Sequence, residues 1–308
     1  MRIVFMGTPE FAVHSLDILF QNGFDIAAVI TVPDKLGGRG MKQIMESPVK
    51  QYALEKNLKI LQPLKLKDPA FLEELKSLNA DLQVVVAFRM LPELVWSMPL
   101  YGTINLHGSL LPKYRGAAPI NWAIINGESK TGVTTFFLTH EIDTGDILLN
   151  KEIPIEFDDT AGTLHDKMKI VGAELVLKTV KGIKNKTITA KPQIGQASSA
   201  PKLNHEVCKI NWNDQNENDT HAVYNFIRGL SPFPGAWTIF EGQQIKILKA
   251  AIYNSQDDLV KNKEGTYIIK DRKKLIYFTR DGGIDCLEVQ LEGKRKMNAI
   301  DFINGLKT

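Results

Sequence analysis

Cysteine is almost missing from this chain of 308 residues: only Cys208 and Cys286 occur. Two thiols cannot build a disulfide framework or a four-cysteine zinc site, so they read as reduced side chains with a structural role at most. Long apolar runs are missing as well. None approaches the roughly 20 residues that cross a bilayer, and Met1-Arg2-Ile3-Val4-Phe5-Met6-Gly7 reads as a first buried strand rather than a secretory leader. A cytoplasmic protein is expected. Neither charge sign dominates: the formal net charge is +3, so any basic footprint for a nucleic acid has to be local. Gly7-Thr8-Pro9 lacks the G-x-G-x-x-G spacing of a dinucleotide site. Internal repeats and low-complexity tracts are absent too.

What is present is a globular composition, 44% hydrophobic and 24% charged, on a chain too long for one ordinary core. Two domains are expected. In the first two-thirds, apolar patterning predicts strands at 3–6, 26–31, 82–87, 103–106 and 133–138. Helices are predicted between them at 11–20, 49–56, 71–78, 120–125 and 164–180. Alternation of this kind gives an α/β domain with a mostly parallel sheet covered on both faces, Rossmann-like in layout. Sites in such folds lie beyond the carboxyl ends of strands, and Gly7, Arg89, His107 and Asp143 all follow predicted strands.

The texture changes after Pro192. Residues 191–206 are rich in Gly, Ser, Ala and Pro and read as an exposed linker between a domain at 1–190 and one at 207–308. In the latter, one helical stretch (221–228) accompanies short β segments at 238–240, 245–250, 266–270, 275–279 and 286–291. Short strands at that spacing suggest a smaller OB-like β-barrel.

The most specific stretch is Asn105-Leu106-His107-Gly108-Ser109-Leu110-Leu111-Pro112, followed by Arg115-Gly116-Ala117-Ala118-Pro119. On a strand, residues i and i+2 share a face, so Asn105 and His107 point the same way. That sets an amide donor beside an imidazole able to titrate near neutral pH. Gly108 and Pro112 then force a turn.

This string resembles the Ser-Leu-Leu-Pro region of the formyltransferases that use 10-formyltetrahydrofolate, and within them the branch acting on methionyl initiator tRNA. Further stretches carry the same resemblance in order. They are Phe5–Ala12, Pro33–Lys50, Asp143-Thr144-Gly145-Asp146, Ala200-Pro201-Lys202-Leu203 and Ser231–Trp237. The resemblance implies a Rossmann-like catalytic domain joined to an OB-like domain. It also implies catalysis by Asn105, His107 and Asp143, with the folate co-substrate held by Ser109, Leu110, Leu111 and Pro112 beside Phe88, Arg89 and Met90. The loop 34–42, with Lys35, Arg39 and Lys42, is implied to meet the acceptor end of the tRNA, Arg39 above all. Three positions depart from the commoner pattern: Arg89 stands where Gly is usual, Met41 where a second lysine is, and Lys35-Leu36 where Arg-Pro is. If the pocket needed a positive φ at residue 89, Arg89 would be costly.

The residue chemistry agrees with that assignment. Formyl transfer to an amine needs an oxyanion donor, removal of the amine proton and a route out for the folate nitrogen. Asn105 suits the first, His107 the first or second, and Asp143 orients the ring and favours its protonated form. Asp146 competes with Asp143 for the acidic role and reads better as a turn residue. His14, His165 and His221 read as ordinary helical residues, His140 as a neighbour of the site, and His205 as part of the linker. The clusters 270–274 and 294–296 read equally as solvated faces or as phosphate-tracking surface. No metal is expected, and a monomer is. The rival readings are a formyltransferase for an amino sugar nucleotide or glycinamide ribonucleotide, and a non-catalytic tRNA-binding protein. The long loop and second domain argue against the first, and the intact trio against the second.

Overall fold

The computed structural model describes residues 1–37, 43–212 and 219–306. From the amino end, β1 (Arg2–Gly7) leads through α1 (Glu10–Gln21) to β2 (Asp25–Ile30). A short hairpin follows, β3 (Lys35–Gly37) with β4 (Gln43–Met45), and then α2 (Pro48–Glu55). Helix α2 starts there because Ser47 Oγ accepts the Lys50 N–H at 3.1 Å and Pro48 fills the first turn, where no donor is needed. β5 (Ile60–Leu61) precedes α3 (Pro69–Ser77), which repeats the device with Asp68 accepting from the Ala70 N–H at 2.9 Å. Next come β6 (Leu82–Val86), α4 (Glu93–Trp96), β7 (Thr103–His107) and β8 (Arg115–Gly116). α5 (Pro119–Ile125), β9 (Lys130–Phe137), β10 (Ile147–Pro154) and the long α6 (Ala161–Asn185) complete this part.

Seven of these strands form one sheet in the order β10-β9-β7-β6-β1-β2-β5. β7, β6, β1, β2 and β5 run parallel, and β9 is antiparallel to β7. The order reverses at β1, which has β2 on one side and β6 on the other. Alternate residues of β1 fill opposite faces: Val4 and Met6 pack with Phe71, Leu75, Val85 and Val95, while Ile3 and Phe5 are fully buried on the other side. The predicted helices and strands are all present. β10 was not anticipated, because it is an edge strand whose Asn150, Lys151 and Glu152 face solvent and break the apolar pattern.

The described chain divides into two compact units. The first comprises Met1–Gly116, Gly132–Ile153 and His165–Ser199; the second comprises Ala117–Thr131, Pro154–Leu164 and Ala200–Thr308. Two segments from the first two-thirds of the sequence thus belong to the carboxy-terminal unit. Side chains explain it. Asn121 in α5 donates to the Gly229 carbonyl at 2.8 Å, and Arg228 donates to the Asp159 carbonyl at 2.8 Å.

β11 (Ser199–Ala200) spans the change of unit, and the second unit runs on to α7 (Thr220–Gly229), capped by Asp219 accepting from the Ala222 N–H at 2.7 Å. β12 (Ala236–Phe240), β13 (Gln243–Tyr253), α8 (Gln256–Lys261), β14 (Tyr267–Lys270) and β15 (Lys274–Phe278) follow. β16 (Gly283–Leu291), β17 (Met297–Asn298) and α9 (Ala299–Asn304) close the chain. The sheet order is β12-β13-β16-β15-β14, with β17 on β16 and every pairing antiparallel. Register shifts around Lys249 put a bulge into the 11-residue β13, and a bulged strand curls its sheet. The result is a barrel-like unit around Ile245, Ile247, Leu275, Tyr277 and Ile284.

Among the described residues no helix is long and apolar enough to cross a membrane.

Candidate active site

β7 carries the central residues. It is held by β6 on one side, with Asn105 opposite Val85, and by β9 on the other, with His107 opposite Thr134. This double pairing fixes Asn105 and His107 on one face, as the sequence predicts. His107 is buried, its ring set edge-on to Phe136 at 6.4 Å. Its Nε2 lies 2.8 Å from the Tyr114 carbonyl oxygen. A carbonyl only accepts, so Nε2 carries the proton, which leaves Nδ1 facing Asp143 Oδ2 at 3.6 Å. The contact with Asp143 becomes an ion pair only when Nδ1 carries a proton too. Asn105 is half-buried, and among the described residues its side chain makes no hydrogen bond.

Asp143 reaches this position from the connection between β9 and β10. Its backbone lies in the left-handed region at φ +55, where a residue with a side chain costs roughly 1–2 kcal/mol. The carboxylate is partnered: Oδ2 accepts the Gly116 N–H at 2.8 Å. Asp146 is exposed, and its backbone oxygen accepts the Phe137 N–H at 3.0 Å. Of the two carboxylates, Asp143 is the one beside the imidazole.

The turn after β7 is pinned to β9 by Thr134. The Thr134 hydroxyl donates to the Ser109 carbonyl at 2.7 Å and accepts the Leu111 N–H at 3.2 Å. Ser109 is buried and donates to the Lys113 carbonyl at 2.6 Å, while Leu110 covers Gly132. On the other side, Arg89 donates to the Leu64 carbonyl at 3.0 Å and to the Pro63 carbonyl, with its guanidinium 5.6 Å from the Phe88 ring centre. Burial pushes its pKa below the usual arginine range. The positive φ of this segment falls on Ala87, at +48, so Arg89 sits in ordinary backbone. Met90 is 73% exposed beside it.

The sequence assigns no role to Thr134, to Tyr114 or to Gly116, the last quoted only within its motif. Thr134 lies inside a predicted strand and looks like any β-branched residue. Tyr114 and Gly116 contribute backbone atoms, which no side-chain motif reveals.

Lys35 stands exposed in the β3–β4 hairpin, paired with Met45; Arg39 and Lys42 lie outside the described residues. The hairpin's base is tied down. Lys50 pairs with Asp34 and, at 2.7 Å, with Glu46, while Gln62 donates to Asp34 at 2.8 Å; the hydrogen bond from Lys50 holds the Asp34 carboxyl below its usual range. In the second unit several cations are spoken for: Lys270 by Asp258 (2.7 Å), Lys274 by Asp285 (2.9 Å) and Lys296 by Glu288 (3.0 Å). Arg272 and Lys273 remain exposed at the β14–β15 turn.

A buried imidazole thus lies between a carboxylate and a backbone carbonyl, with Asn105 two residues before it on the same strand, at the carboxyl edge of the parallel strands. Residues 1–180 match the formyl transferase family model and residues 202–307 the model of the formyl transferase carboxy-terminal domain. The methionyl-tRNA formyltransferase of Bacteroides thetaiotaomicron is 47% identical over 100% of this chain and 96% of its own length. That of Azobacteroides pseudotrichonymphae is 50% identical over 99% of this chain and 95% of its own. Among solved structures, HypX from Aquifex aeolicus in complex with tetrahydrofolic acid aligns with a TM-score of 0.66 at 19% identity. That alignment covers 98% of this chain and 47% of HypX, and it is a likeness of fold. The chain belongs to the formyltransferase family, among its methionyl-tRNA formyltransferases.

Proposed function

We propose that this chain transfers the formyl group of 10-formyltetrahydrofolate to the free amine of methionyl initiator tRNA, giving N-formylmethionyl-tRNA and tetrahydrofolate. The observation that carries the reading is the likeness to methionyl-tRNA formyltransferases through both domains, 47% identical over 100% of the chain. The placement of Asn105, His107 and Asp143 supports the chemistry.

In that chemistry the neutral amine attacks the formyl carbon. A carbon–nitrogen bond to the methionyl amine forms, and the bond to the folate nitrogen breaks. Asn105 donates its amide N–H to the oxygen as it becomes negative; one well-aimed donor of this kind contributes roughly 3–4 kcal/mol. With its ring protonated, His107 shares that task by turning its Nε2–H from the Tyr114 carbonyl to the formyl oxygen, while Asp143 accepts from Nδ1–H. The proton shed by the amine ends on the departing folate nitrogen. No side chain serves as a covalent nucleophile.

The turn Ser109–Pro112 and the segment Phe88–Met90 flank the folate, the first offering backbone polar groups beside apolar side chains that suit a flat pterin. Lys35, Arg39 and Lys42 meet the acceptor end of the tRNA, and the exposed cations of the second unit extend the contact to phosphates. Residues 1–190 form the catalytic domain, 191–206 the linker and 207–308 the tRNA-binding domain. The enzyme works as a cytoplasmic monomer without a metal. The test offers the purified protein 10-formyltetrahydrofolate together with charged initiator tRNA, an amino sugar nucleotide or glycinamide ribonucleotide. Formylation of the tRNA alone is expected. Formylation of either small amine in its place would overturn the assignment.

A further inference from the structure

The segment after α6 reads from its composition as linker, and most of its side chains do face solvent. Its backbone is nevertheless tied to the first unit at two points. Lys191 and Ile147 exchange backbone hydrogen bonds of 2.9 and 2.8 Å at the start of β10. Seven residues on, the Ser198 hydroxyl accepts the Tyr114 N–H at 2.9 Å and the Ser198 carbonyl accepts the Arg115 N–H at 2.8 Å. Between these points lies Gln193, half-buried, with every hydrogen-bonding valence of its amide in use. Its Nε2 donates to the Asp143 carbonyl at 2.8 Å and to the Gly145 carbonyl at 2.9 Å. Its Oε1 accepts from Arg115 Nε at 3.1 Å and from Arg115 Nη2 at 2.6 Å.

These four bonds tie the loop carrying Asp143 to Arg115. Arg115 stands between Tyr114, whose carbonyl meets His107 Nε2, and Gly116, whose N–H meets Asp143 Oδ2. The same Gln193 amide grips the backbone of Asp143 itself, which is held at φ +55. A residue kept in the left-handed region needs its surroundings to hold it there. Here the hold on the Asp143 backbone and the hold on the loop that contacts its carboxylate come from one side chain.

The geometry points to Gln193 as a positioning residue for formyl transfer: it fixes the Asp143 backbone and the 114–116 loop against each other, and so sets the distance between Asp143 and His107. The inference rests on the trio reading above. It makes the 191–199 segment part of the catalytic apparatus as well as a connection. Gln193 has no reach to the reacting atoms of its own; it acts through Asp143 and Arg115.

Two variants separate this role from simple stability. Gln193→Ala removes all four bonds. Gln193→Glu keeps and strengthens the acceptor side toward Arg115, now a charge-assisted pair, but sets a carboxylate against the Asp143 and Gly145 carbonyls and releases them. The full chain is assayed for kcat, for KM toward folate donor and charged tRNA, for the pH dependence of kcat and for thermal midpoint. Gln193→Glu is expected to melt like the wild type, to lose about tenfold or more in kcat with each KM moving less than roughly threefold, and to change the pH profile. Gln193→Ala should do the same with a lower midpoint. His107→Ala runs alongside as the reference for the trio. A wild-type kcat and pH profile in Gln193→Glu, beside an inactive His107→Ala, overturns this inference and leaves the trio standing. A wild-type rate in His107→Ala overturns both.

Discussion

Gly116 donates its backbone N–H to Asp143 Oδ2 at 2.8 Å, the same oxygen that lies 3.6 Å from His107 Nδ1. One carboxylate oxygen thus sits between a fixed donor and an imidazole. The backbone bond leaves Asp143 little freedom to turn away from the ring, so the charge it presents is aimed before any substrate arrives. Orientation of this kind costs no reorganisation during the reaction.

Asp143→Asn keeps the size of the side chain and removes its charge. Formylation turnover is expected to fall by roughly two orders of magnitude or more, with a changed pH–rate profile, whereas Asp146→Asn, on an exposed side chain, should stay within about threefold of wild type. Steady-state rates across pH for both variants check this. A more damaging Asp146→Asn would reverse the roles given to the two carboxylates.

Gly145 offers a second handle on the same loop. A Cβ at this position would lie 1.7 Å from the Phe137 carbonyl oxygen, a backbone atom that cannot yield cheaply. Gly145→Ala must therefore shift the loop carrying Asp143, at a cost of roughly 1–3 kcal/mol or more. Lower thermal stability and a loss of kcat exceeding that of Asp146→Asn are expected. Unchanged kcat and melting would mean that the loop is not set by this close approach.

Much of this was legible in the sequence, and the reasons differ by residue. The parallel sheet follows from apolar runs such as Val84-Val85-Val86, buried on both faces. Asn105 and His107 follow from strand alternation, and Asp143 from the Asp-Thr-Gly-Asp resemblance. What stayed hidden depends on contacts between residues far apart in the chain. Nothing in the spacing of Asn121 or Asp159 announces that their segments pack with α7 through Gly229 and Arg228. Gln193 reads as linker because its three partners, two carbonyls and a guanidinium, are brought together only by folding. β10 escaped because an edge strand needs only one apolar face.

The two thiols supply a check on the second unit. Cys208 and Cys286 are each 1% exposed, and burial raises both pKa values, that of Cys286 strongly. A raised thiol pKa means less thiolate at pH 8 and slower reaction with a disulfide reagent. The folded protein should release no thiol signal over the time in which denaturant-unfolded protein releases two equivalents. Rapid modification of either cysteine in the native protein would contradict this packing.

Recognition of tRNA can be tested through salt. Each phosphate neutralised releases counterions, so binding of charged initiator tRNA should weaken steeply between low and moderate salt. Arg39→Ala should raise the KM for tRNA and reduce the salt slope by about one, leaving folate binding intact. Titrations of tRNA and folate at several salt concentrations check both halves. A salt-independent tRNA affinity unaffected by Arg39→Ala would remove the loop from the tRNA contact.

Asn105 and His107, fixed on one face of β7 with Asp143 beside the ring, are expected to perform the formyl transfer itself. The most direct measurement is the single-turnover rate of N-formylmethionyl-tRNA formation, with wild type and Asn105→Ala each saturated with both substrates. Saturation removes binding from the comparison, and a single turnover removes product release. The rate in Asn105→Ala is expected to be lower by roughly two to three orders of magnitude, with tRNA affinity nearly unchanged. An Asn105→Ala rate equal to that of the wild type would contradict it.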